Sequence, residues 1–61
     1  MTKFGLFDGK KSEPVEVWKG DYMNLAKGYV TIYKRNPIPS TKDIAIIVMR
    51  LRSGFSVREI D

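Results

Sequence analysis

Short stretches of alternating apolar and polar residues recur along this chain, with the period of two expected of half-buried β-strands. The cleanest is 29–34, Y-V-T-I-Y-K, where Val30 and Ile32 alternate with Tyr29, Thr31 and Tyr33 and nearly every residue is β-branched or aromatic. Residues 15–19, V-E-V-W-K, predict a second strand, with Val15 and Val17 inward and Glu16 and Trp18 on the opposite face. Residues 3–7 predict an extended segment that puts Phe4 and Leu6 on one face, with Gly5 leaving room on the other. Asp8-Gly9 then supplies a positive-φ turn, and Pro14, which cannot donate to a ladder, marks 10–14 as an edge or loop.

The densest apolar block lies at 44–49 and leads into Ser53-Gly54, which predicts a β-hairpin over 43–60. Ser40-Thr41-Lys42-Asp43 also resembles a helical capping box, and Gly54 would suit the end of a helix over 41–53. Four of the five residues 44–48 are β-branched, which costs rotamer freedom in a helix and little on a sheet, so the strand reading is preferred. A two-residue turn would place Phe55 and Val57 on the face of Arg50 and Arg52. A three-residue loop, Arg52-Ser53-Gly54, instead pairs Leu51 with Phe55 and Met49 with Val57, with Gly54 in the left-handed position. The expected core face is then Ala45, Ile47, Met49, Leu51, Phe55 and Val57. Ile44, Ile46, Val48, Arg50, Arg52, Ser56, Arg58 and Ile60 are left on the other face.

Between these strands, residues 21–28 suit either one short helical turn, capped by Asp21 and ended by Lys27-Gly28, or a plain loop. Residues 35–42 contain Pro37 and Pro39 and predict a partly extended loop. The expectation is one mostly β domain over residues 1–61: a four- to five-stranded antiparallel meander, folded as a strongly bent sheet or an SH3-like partly closed barrel, with at most one short helical turn near 21–27.

Length sharpens this picture. A chain of 61 residues buries only about 60% of the surface its unfolded form exposes and is expected to be marginally stable. With no Cys and no His, it has neither disulfides nor the usual zinc ligands, leaving good packing or self-association as its supports. No apolar run is long enough to span a bilayer and no signal-peptide core is visible, so the expected location is the cytoplasm.

Charge and chemistry come last. The formal charge is +4, and residues 32–61 carry six basic groups against three acids, an asymmetry that suits polyanions. The seven acids show no paired-carboxylate spacing, the hydroxyls lack a His to activate them, and the glycines lie singly, so no catalytic residues, metal or cofactor are expected. Two constellations remain. Trp18, Tyr33, Lys34, Arg35, Arg50 and Arg52 interleave aromatic rings with cations, as a sheet surface that stacks bases and neutralises phosphates requires. Ordinary cross-strand packing is the competing explanation for those rings. Ile44, Ile46 and Val48, with Ile60 opposite, make an apolar patch bordered by arginine that suits a protein partner or a homodimer.

Overall fold

Residues 1–60, which are the residues this computed structural model describes, contain six β-strands, more than the four or five expected, and no helix; Asp61, one of the seven acids, lies outside them. The strands are β1 (Thr2–Asp8), β2 (Glu16–Gly20), β3 (Tyr22–Ala26), β4 (Tyr29–Lys34), β5 (Ile44–Arg50) and β6 (Phe55–Ile60). They form two three-stranded antiparallel sheets, β2-β1-β6 and β3-β4-β5, which are not closed into a barrel. The chain crosses between sheets at two corners, Gly20-Asp21 and the turn after β5, and β6 returns to pair with β1. The Cα trace is 40 × 26 × 11 Å, and its short dimension matches two sheets packed face to face about 10 Å apart. No helix is long and apolar enough to cross a membrane.

Residues 21–28 hold the strand that the sequence reading replaced by a helical turn or loop. Tyr22–Ala26 is β3, and Lys27-Gly28 is a two-residue hairpin turn with φ of 53° and 79° at its central residues. Two consecutive positive-φ residues give the turn whose twist matches that of paired strands, so Gly28 closes a hairpin here instead of ending a helix.

The expected hairpin over 43–60 does not form, although both of its strands do. β5 pairs with β4, and β6 pairs with β1. Gly54 is left-handed as expected (φ 85°), and the Phe55 N–H donates to the Arg52 carbonyl at 3.1 Å, closing a tight turn. Backbone bonds on either side draw the strands apart: the Leu51 N–H donates to Gly28 O (2.8 Å), and the Gly9 N–H donates to Gly54 O (2.7 Å). Bonds to distant partners thus take the place of the local hairpin. The face assignment survives this change for Ile47, Met49, Leu51, Phe55 and Val57, which all lie in or against the core. Ala45 is exposed and does not belong to it.

Between the sheets lie Phe4 and Leu6 of β1, Val30 and Ile32 of β4, and Val57 of β6. Trp18 packs against this cluster while Val15 and Val17 are exposed, the reverse of the orientation expected for β2. The register explains it: Trp18 lies opposite the buried Phe4, and the period of two then turns Val17 outward. A second, smaller cluster sits on the outer face of the first sheet. The missing side chain of Gly5 leaves a slot reached by the Phe7 ring, the Pro14 ring and the end of Ile60, and the Arg58 guanidinium lies 3.6 Å from the centroid of the buried Phe7. Ile60 is therefore part of this cluster and not of a patch with Ile44, Ile46 and Val48.

The sheets approach closely at Gly20, where a Cβ would collide with the Ile32 side chain and come within 3.1 Å of the Tyr33 carbonyl oxygen. Gly20→Ala is expected to cost about 3 kcal/mol, at the top of the usual range for overpacking, because backbone stands on one side of the clash. Gly9→Ala, with φ of 58° and open space around it, is expected to cost only about 1 kcal/mol. Urea denaturation of the two variants measures the difference; equal losses would contradict the packing described at this corner.

Candidate nucleic-acid interface

The outer face of the β3-β4-β5 sheet is a grid of three cross-strand rows. The pairing places Tyr22, Tyr33 and Ala45 in one row, Asn24, Thr31 and Val48 in the next, and Ala26, Tyr29 and Arg50 in the third. Alternation along β4 forces this arrangement: Val30 and Ile32 are fully buried, so Tyr29, Thr31 and Tyr33 must face away from the core. Tyr29 and Val48 are 48% and 62% exposed, so the face is open to solvent over most of its length.

One end of the grid is ordered by aromatic and polar contacts. The Tyr22 and Tyr33 rings stack with centroids 4.9 Å apart and planes 16° from parallel, and the Arg35 guanidinium lies 5.2 Å from the centre of the Tyr22 ring. The Tyr22 hydroxyl donates to Asp43 at 2.6 Å. The other Asp43 oxygen accepts from the Asn36 N–H at 3.0 Å, and Asp21 accepts from the Arg35 N–H at 2.7 Å. The proline-containing segment between β4 and β5 is therefore clasped at both of its ends to the start of β3.

Charge is distributed as sharply as shape. From Tyr22 to Arg52 the sequence has six basic residues and one acid, a balance of +5, whereas the rest of the chain has five basic residues and six acids. The single acid in the basic half, Asp43, is already engaged by Tyr22. Among the described residues the one ion pair is Lys11–Asp8 at 3.8 Å, so Lys34, Arg35, Lys42, Arg50 and Arg52 carry unpaired charge.

The six residues singled out from sequence are thus only partly brought together. Tyr33, Arg35 and Arg50 belong to this face or its border. Trp18 lies on the inner side of the other sheet, against the core. Lys34, opposite Ile44, alternates to the other side of the sheet at its end, and Arg52 lies beyond β5 in the corner turn. Tyr22 was missed because its segment was read as a helical turn or loop. The alternation in Y-M-N-L-A directly before Lys27-Gly28 was the signal that would have placed it on a hairpin.

The aliphatic row does not survive either. The β4–β5 register shifts between Ile32 and Tyr33, so that Ile47 pairs with Ile32, Ala45 pairs with Tyr33, and Ile46 is the extra residue of a bulge. The bulge turns Ile46 toward the corner, where its Cδ1 is 3.5 Å from the position a Gly20 Cβ would take. Val48 faces outward in the middle of the tyrosine grid, and Ile44 falls on the side of Lys34. Three residues expected in one row are split between two faces.

No family model matches the chain, and neither a curated protein nor a solved structure does.

The Tyr22–Asp43 bond makes the clasp pH-dependent at both ends of the scale. The Tyr22 hydroxyl and, after it, the Asn36 N–H hold the Asp43 carboxyl below its ordinary value of 3.8. The same bond to Asp43, followed by burial and the Asp43 charge, raises the Tyr22 phenol above its ordinary 10.0. A lowered acid stabilises the fold above its unfolded pKa and loses that contribution as pH falls through the folded value. A raised phenol contributes below its unfolded pKa and loses the contribution as pH rises through the folded one. The clasp is therefore intact between these limits. Following the Asp43 carboxyl by NMR, Tyr22→Phe is expected to move its midpoint upward; an unmoved midpoint would show that the hydroxyl is not its main partner.

Proposed function

We propose that this protein is a non-catalytic binding module that holds single-stranded nucleic acid on the outer face of its β3-β4-β5 sheet. One observation carries the reading: three tyrosines and the unpaired charges of Arg35 and Arg50 share or border a solvent-exposed sheet face in the half of the chain that holds all of its excess positive charge. Every base has a flat face that an exposed tyrosine can stack on, so such a surface binds with little sequence preference. The guanidinium groups and Lys42 supply phosphate contacts at its border. The cytoplasm is the proposed location. Neither a cofactor nor a catalytic group enters this reading.

Binding of a labelled single-stranded oligonucleotide, followed by fluorescence anisotropy, tests it. If about four phosphates are neutralised, the log–log dependence on salt is expected to have a slope of about −3. Tyr29→Ala is expected to cost about 1–3 kcal/mol of binding free energy, the worth of one stacked base. Absence of binding at low salt would rule the reading out.

A second reading rests on a separate observation. β5 pairs on one edge only, and Ile44, Ile46 and Val48 remain 41–62% exposed in the isolated chain. A homodimer or hetero-partner covering that strand would remove an exposed, β-branched edge. Sedimentation over a concentration series decides the homodimer case: a mass that rises to twice the chain mass supports it, and a constant monomer mass excludes it.

A further inference from the structure

A second concave site lies where the two sheets part, away from the stacked tyrosines. It has a volume of about 270 Å³, and Leu6, Met49 and Phe55 supply its apolar surface, with Val15 at its side. Arg50 and Arg52 line it from the end of β5 and the corner turn, and Glu16 lines it from the start of β2. None of these three charged residues forms an ion pair among the described residues. The lining thus has two guanidinium groups against one carboxylate, over a hydrocarbon surface.

Two features make this more than a gap in a small core. Val15, at the side of the pocket, is 56% exposed, an arrangement with no packing benefit for the isolated chain. Arg52 has neither a carboxylate nor an aromatic partner among the described residues, whereas Arg58, the one arginine outside the basic half, is held against Phe7. A guanidinium beside an apolar cavity provides what an amphipathic acid needs: hydrocarbon contact for its chain and a charge-assisted, two-pronged hydrogen bond for its head.

We propose that this pocket binds a small apolar monocarboxylate, its aliphatic or aromatic body against Leu6, Met49 and Phe55 and its carboxylate on Arg52 and Arg50. The volume suits a fragment-sized ligand and not an extended lipid. Glu16 sets the selectivity. As the one carboxylate in the lining, it disfavours dianions, while the excess of arginine still favours a single negative charge. Arg50 is common to this site and the tyrosine face, but Arg52 and the apolar lining are not, so the effect of replacing Arg52 bears on this proposal alone.

The test is a titration of the full chain with octanoate, followed through backbone amide NMR signals, with octanol as the uncharged control. Octanoate is expected to shift the Val15, Met49 and Phe55 signals saturably, and octanol to do so far more weakly. Arg52→Gln is expected to weaken octanoate binding about five- to ten-fold, the worth of one partly exposed charge-assisted bond. Lys19→Gln, which removes the same charge on a strand position outside the pocket lining, is expected to leave it nearly unchanged. Both replaced side chains are exposed, and the amide spectrum of each variant verifies that it folds. Equal binding of octanol and octanoate, equal effects of the two variants, or shifts confined to other residues would overturn the proposal.

Discussion

The close crossing at Gly20 is the constraint on which the rest of the structure depends. There the first sheet lies against Ile32 with no side chain between, and one residue later the Asp21 N–H donates to the Tyr33 carbonyl at 2.8 Å. This corner lets one run of chain serve as an edge of both sheets, first as β2 and then as β3. It also brings Phe4, Leu6 and Val57 over Val30 and Ile32, so the small core is assembled from strands distant in sequence. Only six apolar side chains are buried among the described residues, so no part of that packing is redundant.

From this corner follow two outer faces of different character. On the first sheet the slot over Gly5 is filled by Phe7, Pro14 and Ile60, and Arg58 lies across the Phe7 ring. That face carries its own cover. On the second sheet Tyr29 and Val48 stay open to solvent, and the segment between β4 and β5 is tied back at its ends by Asp21 and Asp43. The covered face belongs to the part of the chain whose charge nearly balances, and the open one to the part with the basic excess. Openness, aromatic content and charge thus coincide on one surface, which is the physical basis for proposing that ligand binds there.

Much of the fold was legible in the sequence. The period of two revealed β4 and, Ala45 apart, the inward set of β5 and β6, and the positions of Gly9 and Gly54 marked real turns. What failed were the steps that depend on distant partners. Whether Ser53-Gly54 closes a hairpin or a corner depends on Gly28 and Gly9, far away in the chain, which hold the two flanking strands to other neighbours. Whether Trp18 or Val17 points inward depends on the register against Phe4, because V-E-V-W-K alternates equally well either way. The candidate site suffered in the same manner. Tyr33, Arg35 and Arg50 were found by residue type, Trp18 was misplaced by register, and Tyr22 was hidden inside a misread segment. The bulge at Ile46 leaves no mark in a run of aliphatic residues, so the apparent apolar row could not be seen to break.

The central claim is that ligand goes to the open face and not to the covered one. Mapping a single-stranded oligonucleotide by backbone amide NMR tests this most directly. Shifts concentrated on Tyr22, Tyr29, Thr31, Tyr33 and Val48, with Ser56 and Arg58 unmoved, are the expected result. Shifts concentrated on β1 and β6, or spread evenly over both sheets, would contradict it.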